Sequence, residues 1–221
     1  MNGSGVRLVL FDLDGTLVDT APDLAAAVNR QRVERGLAAL PLAQLRSQAS
    51  HGARGLIGRA FGIAPGAPEY ETLRVQFMQY YESALCVHSR LFGGMDDTLT
   101  ALESRGLAWG IVTNKIARFT DPLVRALNLH QRAACVVSGD ATPHTKPHPA
   151  PLEFALRACR SQASAAIYVG DDRRDVDAGR AAGMRTVIAE YGYLGDAPEL
   201  DGWGADHRIA APADLLAWLG D

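Results

Sequence analysis

Apolar and polar positions follow two different periods along this chain, and the change from one to the other divides it. "VLFDLDGTLVDT", residues 9–20, opens as a short apolar run and breaks into acid and a Gly-Thr turn. A run of that length bounded by a turn signal predicts a buried β-strand. Beyond Asp19 the period becomes helical. "TAPDLAAAVNRQRVERG" has Thr20 as N-cap, Pro22 in the first turn and Gly36 as a stop. "LPLAQLRSQASHGARGLIGRAFG" and "APEYETLRVQFMQYYESALCVH" read as two further amphipathic helices. No strand pattern falls between residues 20 and 88. From residue 107 the rhythm is strand, then helix: strands over 107–114, 133–139, 165–171 and 185–190, and helices over 116–127, 149–160 and 173–182.

Strands that alternate with helices require right-handed crossovers and therefore a mostly parallel sheet. The expected fold is α/β, a Rossmann-like parallel-sheet core made of residues 1–17 and 91–221 with a helical cap, 18–90, inserted after the first strand. The insert leaves directly from the acidic strand end, so it is expected to lie over that end, where open parallel sheets bind ligands. Its junctions, Leu17–Thr20 and Cys86–Gly94, are expected hinges, the second one softened by Gly93 and Gly94.

Composition narrows the class. The chain has 221 residues, 48% of them hydrophobic and 21% charged, enough for one core domain with an insert. A net charge of −3 gives no reason to expect nucleic acid or an anionic membrane as partner. The 3 cysteines form no CxxC pair and read as reduced thiols, which fits a cytoplasmic protein. "MNGSGVR" lacks the apolar stretch of a signal peptide, and no run approaches the ~18 apolar residues of a spanning helix. Nothing in the pattern sets the oligomeric state. Positive charge is nearly all arginine; Lys115 and Lys146 are the only lysines.

The chemistry gathers at strand ends. Asp12 and Asp14, two apart on an extended chain, face the same way about 6–7 Å apart. Like charges that close need a cation between them or a shared proton. "GIVTNK" ends in Thr113 and Asn114, "IYVGDDRRD" in Asp171, Asp172 and Asp175, and Lys146 lies in the loop after "ACVVSG". Parallel topology brings these ends to one crevice. Carboxylates from two strands make an oxygen-only site suited to Mg²⁺, and a hydroxyl, an amide and a lysine suit phosphate oxygens. The set implies phosphoryl transfer on a small-molecule phosphomonoester.

In order along the chain, "DLDGT", the Thr-Asn pair, Lys-Pro and "GDDRRD" resemble the four motifs of the haloacid dehalogenase superfamily. The resemblance implies that Asp12 attacks phosphorus to form an aspartyl-phosphate, and that Asp14 protonates the leaving oxygen and then deprotonates water. It further implies Mg²⁺ held by the Asp12 carboxylate, the Asp14 main-chain carbonyl and Asp171, phosphoryl oxygens held by Thr113 and Asn114, and Lys146 paired with both phosphate and Asp12. Asp175 is expected beside the metal, as ligand or as support for one, and Asp172 as a helix cap. Asp14 argues against dehalogenation, and the absence of lysine from residues 17–90 argues against Schiff-base cleavage of phosphonates. Hydrolysis is the expected outcome; a phosphomutase or a non-catalytic sugar-phosphate binder shares the same motifs. Within the insert, "SHGARGLIG" sets Gly52 and Gly55 around Arg54, where backbone can approach a ligand and arginine can grip a carboxylate. That stretch is similar to the specificity loop of the phosphoglycolate phosphatase-like branch. "HGARGLI", "CVHSRLFGGM" and "WGAD" resemble, more particularly, N-acetylmuramic acid 6-phosphate phosphatases of cell-wall recycling. The expected substrate is thus N-acetylmuramic acid 6-phosphate, with 2-phosphoglycolate as the alternative; both carry a carboxylate for Arg54.

Overall fold

The computed structural model describes residues 5–195 and 199–220; Met1–Ser4, the start of the polar N-terminal stretch, lie outside them. Six strands form one sheet in the order β5-β4-β1-β6-β7-β8, and every neighbouring pair is parallel. They are β1 (Leu8–Phe11), β4 (Ala108–Val112), β5 (Val136–Val137), β6 (Ala166–Gly170), β7 (Arg185–Ala189) and β8 (His207–Ile209). β1 lies at the centre and every residue of it is buried. Val9 and Phe11 enter the core on one face, Leu8 and Leu10 the core on the other. That continuous apolar run is what a strand covered on both faces needs. Helices α5 (Met95–Ser104), α6 (Ala117–Ala126), α7 (Ala150–Ala158) and α8 (Arg173–Ala181) supply the crossovers, and α9 (Asp214–Leu219) closes the chain.

Between β1 and the rest of the sheet come α1 (Ala21–Glu34), α2 (Leu42–Leu45), α3 (Gly52–Phe61) and α4 (Tyr70–Ser83). Leu24, Val28, Leu56, Ile57, Leu73 and Phe77 are the apolar faces of α1, α3 and α4, and all are buried. The two ends of the insert meet in a short antiparallel ribbon, β2 (Val18–Asp19) on β3 (Arg90–Leu91), with Val18 opposite Leu91 and Asp19 opposite Arg90.

Several expectations are corrected. β1 stops at Phe11, so Asp12 and Asp14 do not share a strand face. Asp12 donates its N–H to the Val169 carbonyl (2.9 Å), and the chain then turns, closed by Gly15 N–H to Val18 O and Val18 N–H to Leu13 O. The single helix expected over 40–62 is broken: α2 passes into a 3-10 turn, Arg46–His51, before α3 begins at Gly52. Gly52 has φ 55° and ψ −143°, a conformation essentially closed to residues with a Cβ. Thr20 stands at the N-cap of α1 but makes no capping bond, its backbone being already helical (φ −96°, ψ −8°); its hydroxyl donates instead to Asp14 Oδ1 at 2.5 Å. β8 carries no clear signal in the sequence. Among the described residues no helix is long and apolar enough to cross a membrane, and Cys86, Cys135 and Cys159 are free thiols.

Candidate active site

The carboxyl ends of β1, β4 and β6 and the loop after β5 meet as the topology requires. Beyond β1, Asp12 is buried. Lys146 Nζ lies 2.9 Å from its Oδ1 and 2.7 Å from Asp175 Oδ1. The ammonium directs its protons to Asp175, the Tyr168 hydroxyl (2.7 Å) and the Val112 carbonyl (3.2 Å). Asp12 Oδ1 is therefore close to a cation yet accepts no hydrogen bond. Burial opposes the charge on Lys146, but Asp12 and Asp175 outweigh it and hold its pKa above the usual lysine value. Burial also pushes the Asp12 carboxyl up to about 6, with Lys146 pulling the other way.

Asp171 is fully buried at the end of β6. Its Oδ1 accepts from Thr16 Oγ1 (2.9 Å), and its Oδ2 from the Tyr193 N–H (2.9 Å) and, more weakly, Ser50 Oγ (3.3 Å). Gly15 is what lets the turn pass this carboxylate: a Cβ there would lie 2.2 Å from Asp171 Oδ2. Burial, with Asp12 and Asp175 nearby, raises the Asp171 pKa well above the carboxylate range. Asp12, Asp171 and Asp175 each offer an oxygen within 4.8 Å of the others. Three buried carboxylates, only two of them paired with Lys146, with an acceptor left unbonded, fit a hard divalent cation such as Mg²⁺. The donors are all oxygen, which disfavours softer metals.

The Asp14 carboxylate stands apart from that cluster. Lys115 Nζ donates to both its oxygens at 3.0 Å, and Thr20 to one of them. Both lysines of the chain thus hold a catalytic-motif aspartate, Lys146 on Asp12 and Lys115 on Asp14. Sequence reasoning missed the second; the signal available was the scarcity of lysine itself. Tyr168 and Tyr193 were missed as well, since a buried tyrosine reads as core.

Thr113 accepts the Lys115 N–H on its hydroxyl (3.2 Å) and lines the cavity. Asn114, expected to hold phosphoryl oxygens, lines the cavity, and its side-chain amide also ties down the loop that carries Lys146. Oδ1 accepts the Lys146 N–H and Nδ2 donates to the Lys146 carbonyl, both at 2.9 Å. These two bonds fasten the loop that presents Lys146. Asp172 caps α8 in a reciprocal capping box with Asp175, whose Oδ2 accepts the Asp172 N–H. Arg174 clamps Asp172 through Nε (2.9 Å) and Nη2 (2.7 Å), and Nη2 also reaches the Ser50 carbonyl.

A cavity of about 360 Å³ opens from these groups. Its floor is Asp12, Asp14, Thr113, Lys115, Lys146 and Asp175; its wall comes from the insert, with Leu24, Ser50–Ala53, Arg74, Phe77, Met78 and Tyr81. Gly52 is part of that wall, as expected. Arg54 is not: it lines an adjoining, more open groove that shares His51, Asp172 and Arg174 with the cavity. The cause is helical phase, since two residues past Gly52 the side chain has turned about 200° away.

Comparison with known proteins agrees with this geometry. Residues 9–189 match the family model of the haloacid dehalogenase-like hydrolases. The chain is 40% identical over 210 residues to an N-acetylmuramic acid 6-phosphate phosphatase of Pseudomonas putida, covering 95% of this chain and 94% of that one. It is 44% identical over 216 residues to a phosphoglycolate phosphatase of Xanthomonas campestris pv. campestris, covering 96% and 97%. A crystal structure from Haemophilus somnus, described as a predicted phosphoglycolate phosphatase, superimposes with a TM-score of 0.85 at 29% identity, over 98% of this chain and 99% of that one. Motif order, site geometry and these likenesses agree: the chain belongs to the haloacid dehalogenase-like hydrolase family, as an enzyme of its phosphatase type.

Proposed function

We propose that this phosphatase is a Mg²⁺-dependent phosphomonoester hydrolase working through an aspartyl-phosphate on Asp12, and that its substrate is N-acetylmuramic acid 6-phosphate. The observation that carries the substrate is the cavity: about 360 Å³, charged at its floor and apolar along the inserted helices. A two-carbon acid phosphate leaves most of that space empty. An acylated amino sugar with a lactyl arm fills it, within the range of ordinary small-molecule sites.

Asp12, Asp171 and the Asp14 main-chain carbonyl would hold the ion, with Asp175 beside them; bound there, Mg²⁺ supplies charge that offsets the phosphoryl oxygens and the crowded carboxylates. The remaining work belongs to the chain. An Asp12 oxygen forms a bond to phosphorus as the bond to the sugar oxygen breaks. Asp14 gives its proton to that leaving oxygen. It then takes one from water, which attacks phosphorus, breaks the acyl-phosphate bond and restores the Asp12 carboxylate with release of inorganic phosphate. Lys146 balances Asp12 and the phosphoryl group, and Thr113 turns its hydroxyl proton to a phosphoryl oxygen. Lys115 and Thr20 keep the Asp14 carboxylate from swinging. Leu24, Phe77 and Met78 exclude bulk water. Residues 18–90 act as the cap that closes over the ester, and a cytoplasmic location follows from a cytosolic sugar phosphate and free thiols.

The test is phosphate release from a panel of esters, with Mg²⁺ and with EDTA: N-acetylmuramic acid 6-phosphate, N-acetylglucosamine 6-phosphate, 2-phosphoglycolate, glucose phosphates and nucleotides. The expected result is selective, EDTA-sensitive release from the muramic ester. Preference for 2-phosphoglycolate would replace the substrate by the one the Xanthomonas relative is named for. Isomerised sugar phosphate without release would make the chain a mutase.

A further inference from the structure

Four arginine and lysine side chains line the cavity: Lys115, Lys146, Arg174 and Arg74. Three are held by carboxylates of the core. Lys146 faces Asp12 and Asp175, Lys115 both oxygens of Asp14, and Arg174 both oxygens of Asp172. Arg74 differs. Its Nε donates to Glu71 Oε2 (2.8 Å), a side chain 68% exposed to solvent. Its Nη1 rests 3.2 Å from the Met78 sulfur, a weak acceptor. The end-on edge of the guanidinium, Nη1 with Nη2, is left without a carboxylate among the described residues.

Its position along α4 gives that edge a use. Arg74, Phe77, Met78 and Tyr81 are spaced i, i+3, i+4 and i+7, so they form one stripe, and all four face the cavity. The stripe is graded. At the inner end the Tyr81 ring centre lies 4.7 Å from Lys115 Nζ, which binds Asp14. Phe77 and Met78 make an apolar middle, and Arg74 stands two turns out. Seven residues of helix set the Cα atoms of Arg74 and Tyr81 about 10 Å apart along α4. In 2-phosphoglycolate the carboxylate is three bonds from phosphorus, at most ~4 Å, so it cannot reach both ends. A carboxylate carried across a sugar ring from the phosphate spans the stripe and lays the ring on Phe77 and Met78.

We propose that Arg74, not Arg54, is the residue that reads the substrate's carboxylate, and that it selects esters whose carboxylate lies a sugar's width from the phosphate. This rests on the phosphatase reading above and deepens it. Planar guanidinium against carboxylate is a two-pronged, charge-assisted contact, which suits recognition rather than turnover.

The experiment compares N-acetylmuramic acid 6-phosphate with N-acetylglucosamine 6-phosphate, the same phosphorylated sugar without the lactyl acid, in wild type, Arg74→Gln, Arg74→Lys and Arg54→Gln. Wild type favours the muramic ester. Arg74→Gln is expected to lower kcat/KM for that ester roughly 10- to 100-fold, mostly through KM, and to leave the N-acetylglucosamine ester within about twofold, so that the preference collapses. Arg74→Lys recovers part of it and Arg54→Gln keeps it. An Arg74→Gln enzyme with native circular dichroism and an unchanged preference overturns the proposal. Loss of preference in Arg54→Gln instead moves the carboxylate to the neighbouring groove and also overturns it. A wild type that cleaves 2-phosphoglycolate and neither sugar ester removes this inference while leaving phosphatase chemistry in place. A wild type that cleaves nothing removes the functional reading itself.

Discussion

At Asp12, burial outweighs Lys146 and holds the carboxyl at about 6 rather than its ordinary 3.8. Between those two values the folded, cation-free protein binds the proton more tightly than the unfolded chain. Stability therefore falls as pH rises through that window and stays lower above it. The shift corresponds to a cost on the order of 2–3 kcal/mol at neutral pH, which a bound cation offsets. Asp12→Asn removes the charge and the nucleophile together. It is expected to abolish turnover, yet to melt at a higher temperature than wild type in EDTA at pH 7.5, with a smaller rise on adding Mg²⁺. A lower melting temperature in EDTA would count against the cation-deficient cluster. Lys115→Met is expected to lower kcat about ten- to hundredfold with KM little changed, because Asp14 loses the partner that aims it; unchanged kcat would reduce Lys115 to a structural ion pair. The unequal legibility of the two lysines has a physical cause. Lys146 falls in a motif whose spacing names it, whereas Lys115 acquires its role only when the turn after β4 is laid against the turn after β1, 101 residues away. Asn114 shows the converse: the residue is legible, but the Lys146 backbone that occupies its amide is not.

At the scale of elements, periodicity located the strands and crossover helices that bury a full face. β4, β6, β7, α6, α7 and α8 all lie inside their expected ranges. It misplaced what depends on a single backbone conformation. Residues 40–62 carry one continuous amphipathic pattern, yet Gly52 ends the 3-10 turn and starts α3, and in doing so sets Ser50 and His51 on the cavity wall. Nothing lies within 4 Å of a Cβ built on Gly52, so Gly52→Ala would cost only backbone strain, about 1–3 kcal/mol. Gly58, inside α3, has a single backbone oxygen 4.0 Å from such a Cβ and no positive φ. Gly58→Ala should accordingly stabilise by about 0.4–1 kcal/mol. Thermal melts of the two variants are expected to move in opposite directions, and kcat/KM to fall only for Gly52→Ala. If both gain stability, the break before α3 is not built on that glycine. β8 escaped the sequence reading for another reason: a three-residue edge strand has too few positions to show a period.

Across the whole molecule, the insert and the sheet communicate through few covalent paths and several polar ones. The β2–β3 ribbon brings both crossings side by side, so one local bend moves the four inserted helices together. Asp23, buried at the start of α1, accepts the N–H groups of Val87, His88 and Ser89 and the Ser89 hydroxyl, which pins the returning chain to the outgoing one. The Tyr193 hydroxyl, from the loop after β7, accepts the N–H groups of Thr20 and Ala21 and donates to Asp19, and Arg46 grips that same Asp19 with two bonds. These contacts hold the crossings themselves stiff. The cavity between insert and core is bridged mainly by side chains that would also face a substrate. Closure is then expected to be a small rigid rotation about the ribbon, completed when an ester joins Arg74 to the phosphoryl pocket. Hydrogen exchange with Mg²⁺ and a tetrahedral phosphate analogue should raise protection at the cavity-facing turns, Ser50–Ala53 and Arg74–Tyr81. The same ligands should leave the ribbon and the Asp23-bound segment unchanged, because they lie at the crossings and not on the cavity wall. Equal protection of the cavity-facing turns with and without the analogue would mean that the insert is a fixed wall, and that the substrate enters a site already closed.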